Sequence, residues 1–243
     1  MIPPLDHTSL NAMLERIERL MAGLKEVTDN VAHDLKTPLT RLRNKAEAAL
    51  RNPDPEARRV ALETSIAESD QLIRTFNALL LIARAEAGTS TGAFSDIDLS
   101  EVVADVAELY TPVAEDAGIT LQTAITPGIT LDANRELIGQ ALVNLVENAI
   151  KYGQSTEGGG ISISARREAG RIIIEVADGG PGIPEADRAR VFERFARLET
   201  SRTEPGAGLG LALVSAVVRL HRGDIRFEDN APGARAVITF PAG

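Results

Sequence analysis

An apolar seam near the start of the chain constrains its fold more than any other feature. Leu10, Leu14, Ile17, Met21, Leu24, Val27, Val31, Leu35, Leu39 and Leu42 follow one another in steps of three and four. That spacing lines them along one narrow stripe of a long helix, with the period of a coiled-coil seam. Pro53 and Pro55 interrupt it, and a second helical run follows with Val60, Ile66, Ile73, Phe76, Leu80 and Ala83 on one side. Two helices joined by a short turn make an antiparallel hairpin. A hairpin cannot bury so narrow a stripe by itself, so the spacing predicts that two copies pair into a four-helix bundle, a homodimer.

The chain's 243 residues suffice for one large or two ordinary domains, and 44% apolar content supplies a core. A net charge of −9 without any basic block argues against a nucleic-acid partner. The absence of cysteine rules out disulfides and thiolate metal sites and fits a reducing compartment. Ala78 to Ala83, the longest purely apolar run, is too short to span a bilayer, and no signal peptide is visible at Met1. Only 3% of residues are aromatic and none is Trp, so stacking platforms for bases are not expected.

Gly88-Thr-Ser-Thr-Gly-Ala93 has the small, polar make-up of a hinge. Beyond it the pattern changes. It reads as a short strand from Phe94, a helix over Leu99 to Ala117, strands near Ile119 to Ala124 and Ile129 to Leu131, and a helix from Asn134 to Tyr152. A strand pair follows, Gly160 to Arg167 and Arg171 to Ala177, turning through Glu168-Ala-Gly170. Then come a short helix near Glu185 to Phe195, a polar loop, a helix from Leu209 to Leu220, and strands near Asp224 to Glu228 and Ala234 to Phe240. Without strict βαβ alternation, the expected class is α+β and multidomain: a dimerising helical hairpin, then an α/β sandwich with helices on one face of a mixed sheet.

Four stretches carry chemistry. His33 lies beside Asp34 on the first helix. A neutral imidazole is a competent nucleophile, and a short carboxylate reaching back to Nδ1 would hold the proton there and leave Nε2 free. Taken alone, His33 is equally a solvated helix residue, His7 lies in a linker, and His221 before Gly223 reads as a helix terminus. Pro38 sits inside the helical pattern and would bend it just below His33. Asn144, Glu147, Asn148 and Lys151 share one helix face, which is either a wet side or a Mg²⁺ and phosphate site.

Asp178-Gly-Gly-Pro-Gly-Ile-Pro184 follows a strand. Alone it is a turn. Its bare backbone at Gly180 and Gly182 would also admit a flat ligand beside the acceptor Asp178. Gly206-Ala-Gly-Leu-Gly210 opens a helix whose N–H groups could hold an anion, and it is not the dinucleotide fingerprint because no strand directly precedes it. Phe192 and Phe195 read as core contacts, and Ala196 to Pro205, with Arg197, Ser201, Arg202 and Thr203, has the composition of a lid.

In this order and spacing, the stretches resemble the sensor histidine kinases over nearly the whole chain. The resemblance implies that His33-Asp-Leu-Lys-Thr-Pro38 is the phosphoacceptor box, with His33 phosphorylated, Asp34 its acid or base partner and Thr37 used in phosphatase activity. It makes Asn144 to Tyr152 the asparagine box, with Asn148 on Mg²⁺, Asn144 assisting, and Lys151 and Tyr152 at phosphates and base. Asp178 would accept from the adenine amino group, and Gly206, Gly208, Leu209 and Gly210 would close over the phosphates of ATP. Leu5 to Leu24 resembles the last helix of a HAMP module. The implied layout is 1–24 signalling helix, 25–87 phosphotransfer hairpin, 88–93 hinge and 94–243 ATP-binding domain. Implied with it are a homodimer, a response regulator receiver as partner, and a bacterial inner-membrane receptor with this chain on its cytoplasmic side, joined to the membrane through an upstream span. Related ATP hydrolases of the chaperone and topoisomerase type carry a glutamate base where this chain has Asn144, and an amide cannot take a proton from water. Glu147 shares the stripe at a different offset. A catalytically dead dimerisation module would lack the Mg²⁺ asparagine or a glycine box.

Overall fold

The computed structural model describes residues 94–153, 160–197 and 208–242, with residues 40, 43–44, 47–48, 51, 54–66, 69, 73 and 82 of the N-terminal part. The seam before residue 40, His33, Asp34, Thr37, Pro38, the hinge 88–93, Gly206 and most of the expected lid lie outside them. The chain divides into two compact units, Met1–Ala87 and Gly88–Gly243.

In the first unit the described residues from 40 to 51 are helical, Asp54 is not, and helix resumes over 55–66. Asp54 begins it: Oδ1 accepts from the Glu56 N–H at 3.0 Å and its carbonyl from Arg58 N–H at 3.1 Å. Pro55 occupies the first helical position, where a missing N–H costs nothing. Leu62, Ile66 and Ile73, four and seven residues apart, are exposed in the single chain.

The second unit runs β1 (Ser95–Asp98), α1 (Leu99–Asp116), β2 (Thr120–Ile125), β3 (Thr130–Ala133), α2 (Arg135–Tyr152), β4 (Gly160–Glu168), β5 (Arg171–Ala177), α3 (Gly210–Leu220), β6 (Asp224–Asp229) and β7 (Ala234–Pro241). β1 and β3 form a small antiparallel pair, and the main sheet has the order β2-β4-β5-β7-β6. β2 runs parallel to β4 and the other neighbours are antiparallel, so the sheet is mixed as expected.

Strand side chains alternate between faces. Ile161, Ile163 and Ala165, then Ile172, Ile174 and Val176, then Ala236, Ile238 and Phe240 are all buried on one face. Val103 and Val106 of α1, Leu142, Leu145 and Val146 of α2, and Leu213, Val214 and Val217 of α3 are buried too and complete the core. The other face mixes Ile173 and the buried Val237 with polar side chains, among them Arg166 bridging Glu175 at 2.8 Å and Glu168 at 3.1 Å.

One expected element differs. Glu185 to Phe195 forms two short 3₁₀ turns, Glu185–Asp187 and Arg190–Phe192. Pro184 enters extended at ψ 140°, the Asp187 N–H bonds back to the Pro184 carbonyl at 2.9 Å, and Phe195 leaves in the left-handed region at φ 61°. So short a stretch, held at both ends, closes three-residue turns rather than an α-helix. Phe195 is also 41% exposed and is not the core contact expected, whereas Phe192 stacks on Phe227 at 5.4 Å.

Candidate functional site

α2 carries the polar stripe and reaches the other motifs. Its start is fixed by Asn134, whose Oδ1 accepts from the Leu137 N–H at 3.1 Å. The Asn134 N–H in turn donates to Nε2 of His221 at 3.0 Å, and His221 Nδ1 meets the Val217 carbonyl at 2.7 Å. Those partners require a neutral ring protonated on Nδ1. His221 ends α3, as its position before Gly223 implies, and it is also buried and stacked on Phe94 at 4.9 Å. Burial pushes its pKa down.

Along α2, Leu142, Leu145, Val146 and Ala149 are buried while Asn144, Asn148 and Lys151 are half-buried. Asn144 Nδ2 donates to the Gln140 carbonyl at 2.8 Å, and its Oδ1 faces Gly210 at the start of α3. A Cβ on Gly210 would stand only 2.8 Å from that oxygen. Glycine at 210 is what lets the first residue of α3 close on the asparagine helix. Leu209 precedes it, buried, and among the described residues no side chain caps α3. The first N–H groups of α3 are therefore left for an anion.

The far end of α2 meets the first glycine stretch. A Cβ on Gly180 would overlap the Tyr152 carbonyl, and one on Gly153 would overlap the Ala149 carbonyl and crowd Asp178. Gly182 at φ 74° and Gly208 at φ 68° sit where side chains are disfavoured. Lys151 Nζ lies 5.0 Å above the Tyr152 ring. Asp178 Oδ1 accepts from the Gly180 N–H at 2.9 Å and the Ala234 N–H at 3.2 Å. Burial pushes its carboxyl pKa up, and these two N–H groups pull the other way. Both donors use Oδ1, so Oδ2 remains as an acceptor for a ligand.

Asn144, Asn148, Lys151 and Tyr152 thus stand on α2, and two other stretches reach it, one with Asp178, Gly180 and Gly182 and one with Gly208, Leu209 and Gly210. Gly206, His33, Asp34 and Thr37 lie outside the described residues. Glu147 behaves differently from its neighbours: it is exposed and accepts from the Tyr110 hydroxyl of α1 at 2.7 Å. Burial and that carboxylate raise the Tyr110 phenol pKa, so it stays a donor. The sequence reading also missed the β6–β7 turn, where Asn230 Nδ2 donates to the Asp178 carbonyl at 2.8 Å. Asp229-Asn-Ala-Pro-Gly233 signals a turn by composition, but nothing local says that the turn holds a strand end fifty residues away.

Residues 133–243 match the family described as Histidine kinase-, DNA gyrase B-, and HSP90-like ATPase, and residues 23–88 the His Kinase A (phospho-acceptor) domain. Sensor protein IrlS of Burkholderia pseudomallei is 34% identical over 239 residues, covering 96% of this chain and 50% of that protein. The chain spans about half the length of the curated relatives it matches. Among solved structures, full-length ShkA in complex with AMPPNP is 30% identical, covers 88% of this chain and 45% of that one, and superimposes with a TM-score of 0.66. The mycobacterial sensor histidine kinase MprB is 32% identical, covers 61% of this chain and 97% of that one, and gives a TM-score of 0.54. With a phospho-acceptor domain followed by an ATPase domain, and with MprB matched along nearly its whole solved chain, this chain belongs to the sensor histidine kinase family.

Proposed function

We propose that this chain uses ATP to phosphorylate His33 and passes the phosphoryl group to an aspartate of a response regulator receiver domain. The observation that carries the ATP reading is the convergence on α2, with Asn144 Oδ1 closed against Gly210 at one point and Asp178 and Gly180 packed at its C-terminal end. The donor set fits such a ligand. Asp178 Oδ2 suits the adenine amino group, the uncapped start of α3 at Gly208, Leu209 and Gly210 suits phosphate, and Lys151 adds a cation. Gly206 and Tyr152 complete the phosphate and base contacts. Asn148, assisted by Asn144, offers amide oxygens to Mg²⁺, which when bound neutralises phosphate charge and orients its oxygens. ShkA holds an ATP analogue, AMPPNP, and that supports the same ligand here.

His33 supplies the nucleophile. Asp34 keeps the ring proton on Nδ1, so the Nε2 lone pair bonds to the γ-phosphorus as the bond to the bridging oxygen breaks and ADP leaves. The receiver carboxylate then takes the phosphoryl group and the imidazole regains its lone pair. Thr37 would position a water for hydrolysis of that aspartyl phosphate, the phosphatase half of the cycle. The rival hydrolase reading needs a carboxylate base on the stripe, and Glu147 is engaged by Tyr110 at 2.7 Å instead. The domain limits 1–24, 25–87, 88–93 and 94–243 belong to this proposal, as does a homodimer through the hairpin. So do a HAMP-type input helix at 1–24 and an upstream membrane span that would place this chain on the cytoplasmic side. Among the described residues no helix is long and apolar enough to cross a membrane.

Incubation with γ-labelled ATP and Mg²⁺ tests the reading. Wild type should take up acid-labile, base-stable label and His33→Ala should take up none. Equal labelling of both, or of neither, would overturn it.

A further inference from the structure

We infer that Asn230, oriented by Arg235, is a positioning residue that sets where Asp178 presents its remaining carboxylate oxygen, and so governs which purine the site prefers. The inference rests on the proposed ATP site. Asp178 stands just past the end of β5, where the ladder to β7 stops. Four contacts hold it there. Its N–H donates to the Ala234 carbonyl at 2.9 Å, its Oδ1 takes the Gly180 and Ala234 N–H groups, and its carbonyl accepts from Asn230 Nδ2 at 2.8 Å. Among the described residues, only the last comes from a side chain.

The amide of Asn230 can face one way only. Arg235 Nη2 donates to Asn230 Oδ1 at 2.8 Å, and a guanidinium has no acceptor to offer. The NH₂ group must therefore point to the Asp178 carbonyl, which in turn can only accept. The turn between them is closed by Asn230 N–H to Gly233 carbonyl at 3.1 Å, and a Cβ on Gly233 would overlap the Asp178 carbonyl. Backbone and side chain are thus fitted together with no slack. Asn230 and Arg235 are half-buried, so this bond is partly shielded from water.

Adenine carries an amino group at its six-position and guanine a carbonyl, so a correctly placed Asp178 Oδ2 accepts from one and repels the other. Asn230→Asp keeps an acceptor for Arg235 but loses the donor and sets a carboxylate against the Asp178 carbonyl. Arg235→Gln leaves Asn230 intact and releases its orientation. Binding of ATP and of GTP, each with Mg²⁺, to variants of the whole 243-residue chain by calorimetry separates the cases, with melting curves to verify folding. Asp178→Ala serves as the reference for the site itself.

For Asn230→Asp the expected result is ATP affinity weakened about 5- to 10-fold with GTP little changed, the loss of one hydrogen bond to a critical group. Arg235→Gln should show a smaller shift in the same direction. If Asp178→Ala abolishes the ATP preference while both other variants retain wild-type ATP-to-GTP ratios, the positioning role is wrong. If Asp178→Ala itself leaves the preference intact, the base site has been misassigned and the inference falls with it. A fold defect without altered preference in any melted-and-refolded active fraction of Asn230→Asp also overturns it, because a purely structural bond would not move the ratio.

Discussion

His221 shows how much one side chain can carry. Its ring joins the end of α3 to the start of α2, with Nδ1 at the Val217 carbonyl and Nε2 receiving the Asn134 N–H. It is 5% exposed. Protonation would destroy the Nε2 acceptor and place a cation among Phe94, Phe240 and the two helix ends, with Asp132 favouring the charged form. The folded pKa is lowered, so below the unfolded value of about 6.5 the unfolded chain takes up a proton that the native chain refuses. Stability contributed by this site is complete above that pH and falls as pH drops, until the native pKa is reached. The unfolding free energy should therefore decline between pH 7 and pH 5, by up to about 1.4 kcal/mol per pH unit from this residue, and the melting temperature should fall with it. His221→Gln should flatten that slope in pH-resolved thermal melts, and an unchanged slope would assign it to other groups.

At the scale of the element, α2 sorts its polar residues by angle. Asn144 turns toward the start of α3 at Gly210, Asn148 is half-buried, and Glu147 is exposed and turns to Tyr110 of α1. Adjacent positions on a helix point about 100° apart, so Glu147 and Asn148 serve different neighbours despite being consecutive. Glu147→Gln should keep the initial rate of autophosphorylation within about threefold of wild type, since an amide oxygen still accepts from the Tyr110 hydroxyl. Tyr110→Phe should lower stability by roughly 0.5–1.5 kcal/mol, the usual worth of one hydrogen bond. A loss of activity in Glu147→Gln of a hundredfold or more, measured with labelled ATP, would reinstate it as a chemical participant.

For the whole molecule, the exposed apolar residues of the first unit are the decisive feature. Leu62 is 43%, Ile66 62% and Ile73 58% exposed. Covering three large aliphatic side chains on helical spacing that already stand about half out of water would gain on the order of 1 kcal/mol each. A second copy is the economical cover. Light scattering after size exclusion should give twice the 25.9 kDa chain mass at micromolar concentration. Replacing Ile66 and Ile73 together by Glu should shift the protein to monomer, and a wild-type monomer would sink the four-helix arrangement.

The order of elements in the second unit was legible because each depends on local patterning, whereas the grouping of the asparagine and glycine stretches was implied only by the family resemblance. Alternating Ile161, Ile163 and Ala165 announce a strand, and Asn134 before the periodic run to Tyr152 announces a capped helix. The sequence by itself therefore determined which residue types stand on which face and in what order. Only the tertiary structure decided that Asn230 holds Asp178, that Tyr110 claims Glu147, and that His221 is a neutral bridge between helix ends. Each of those bonds joins residues 37 to 87 positions apart. Their geometry depends on how sheet and helices pack, and no periodicity within one segment encodes it.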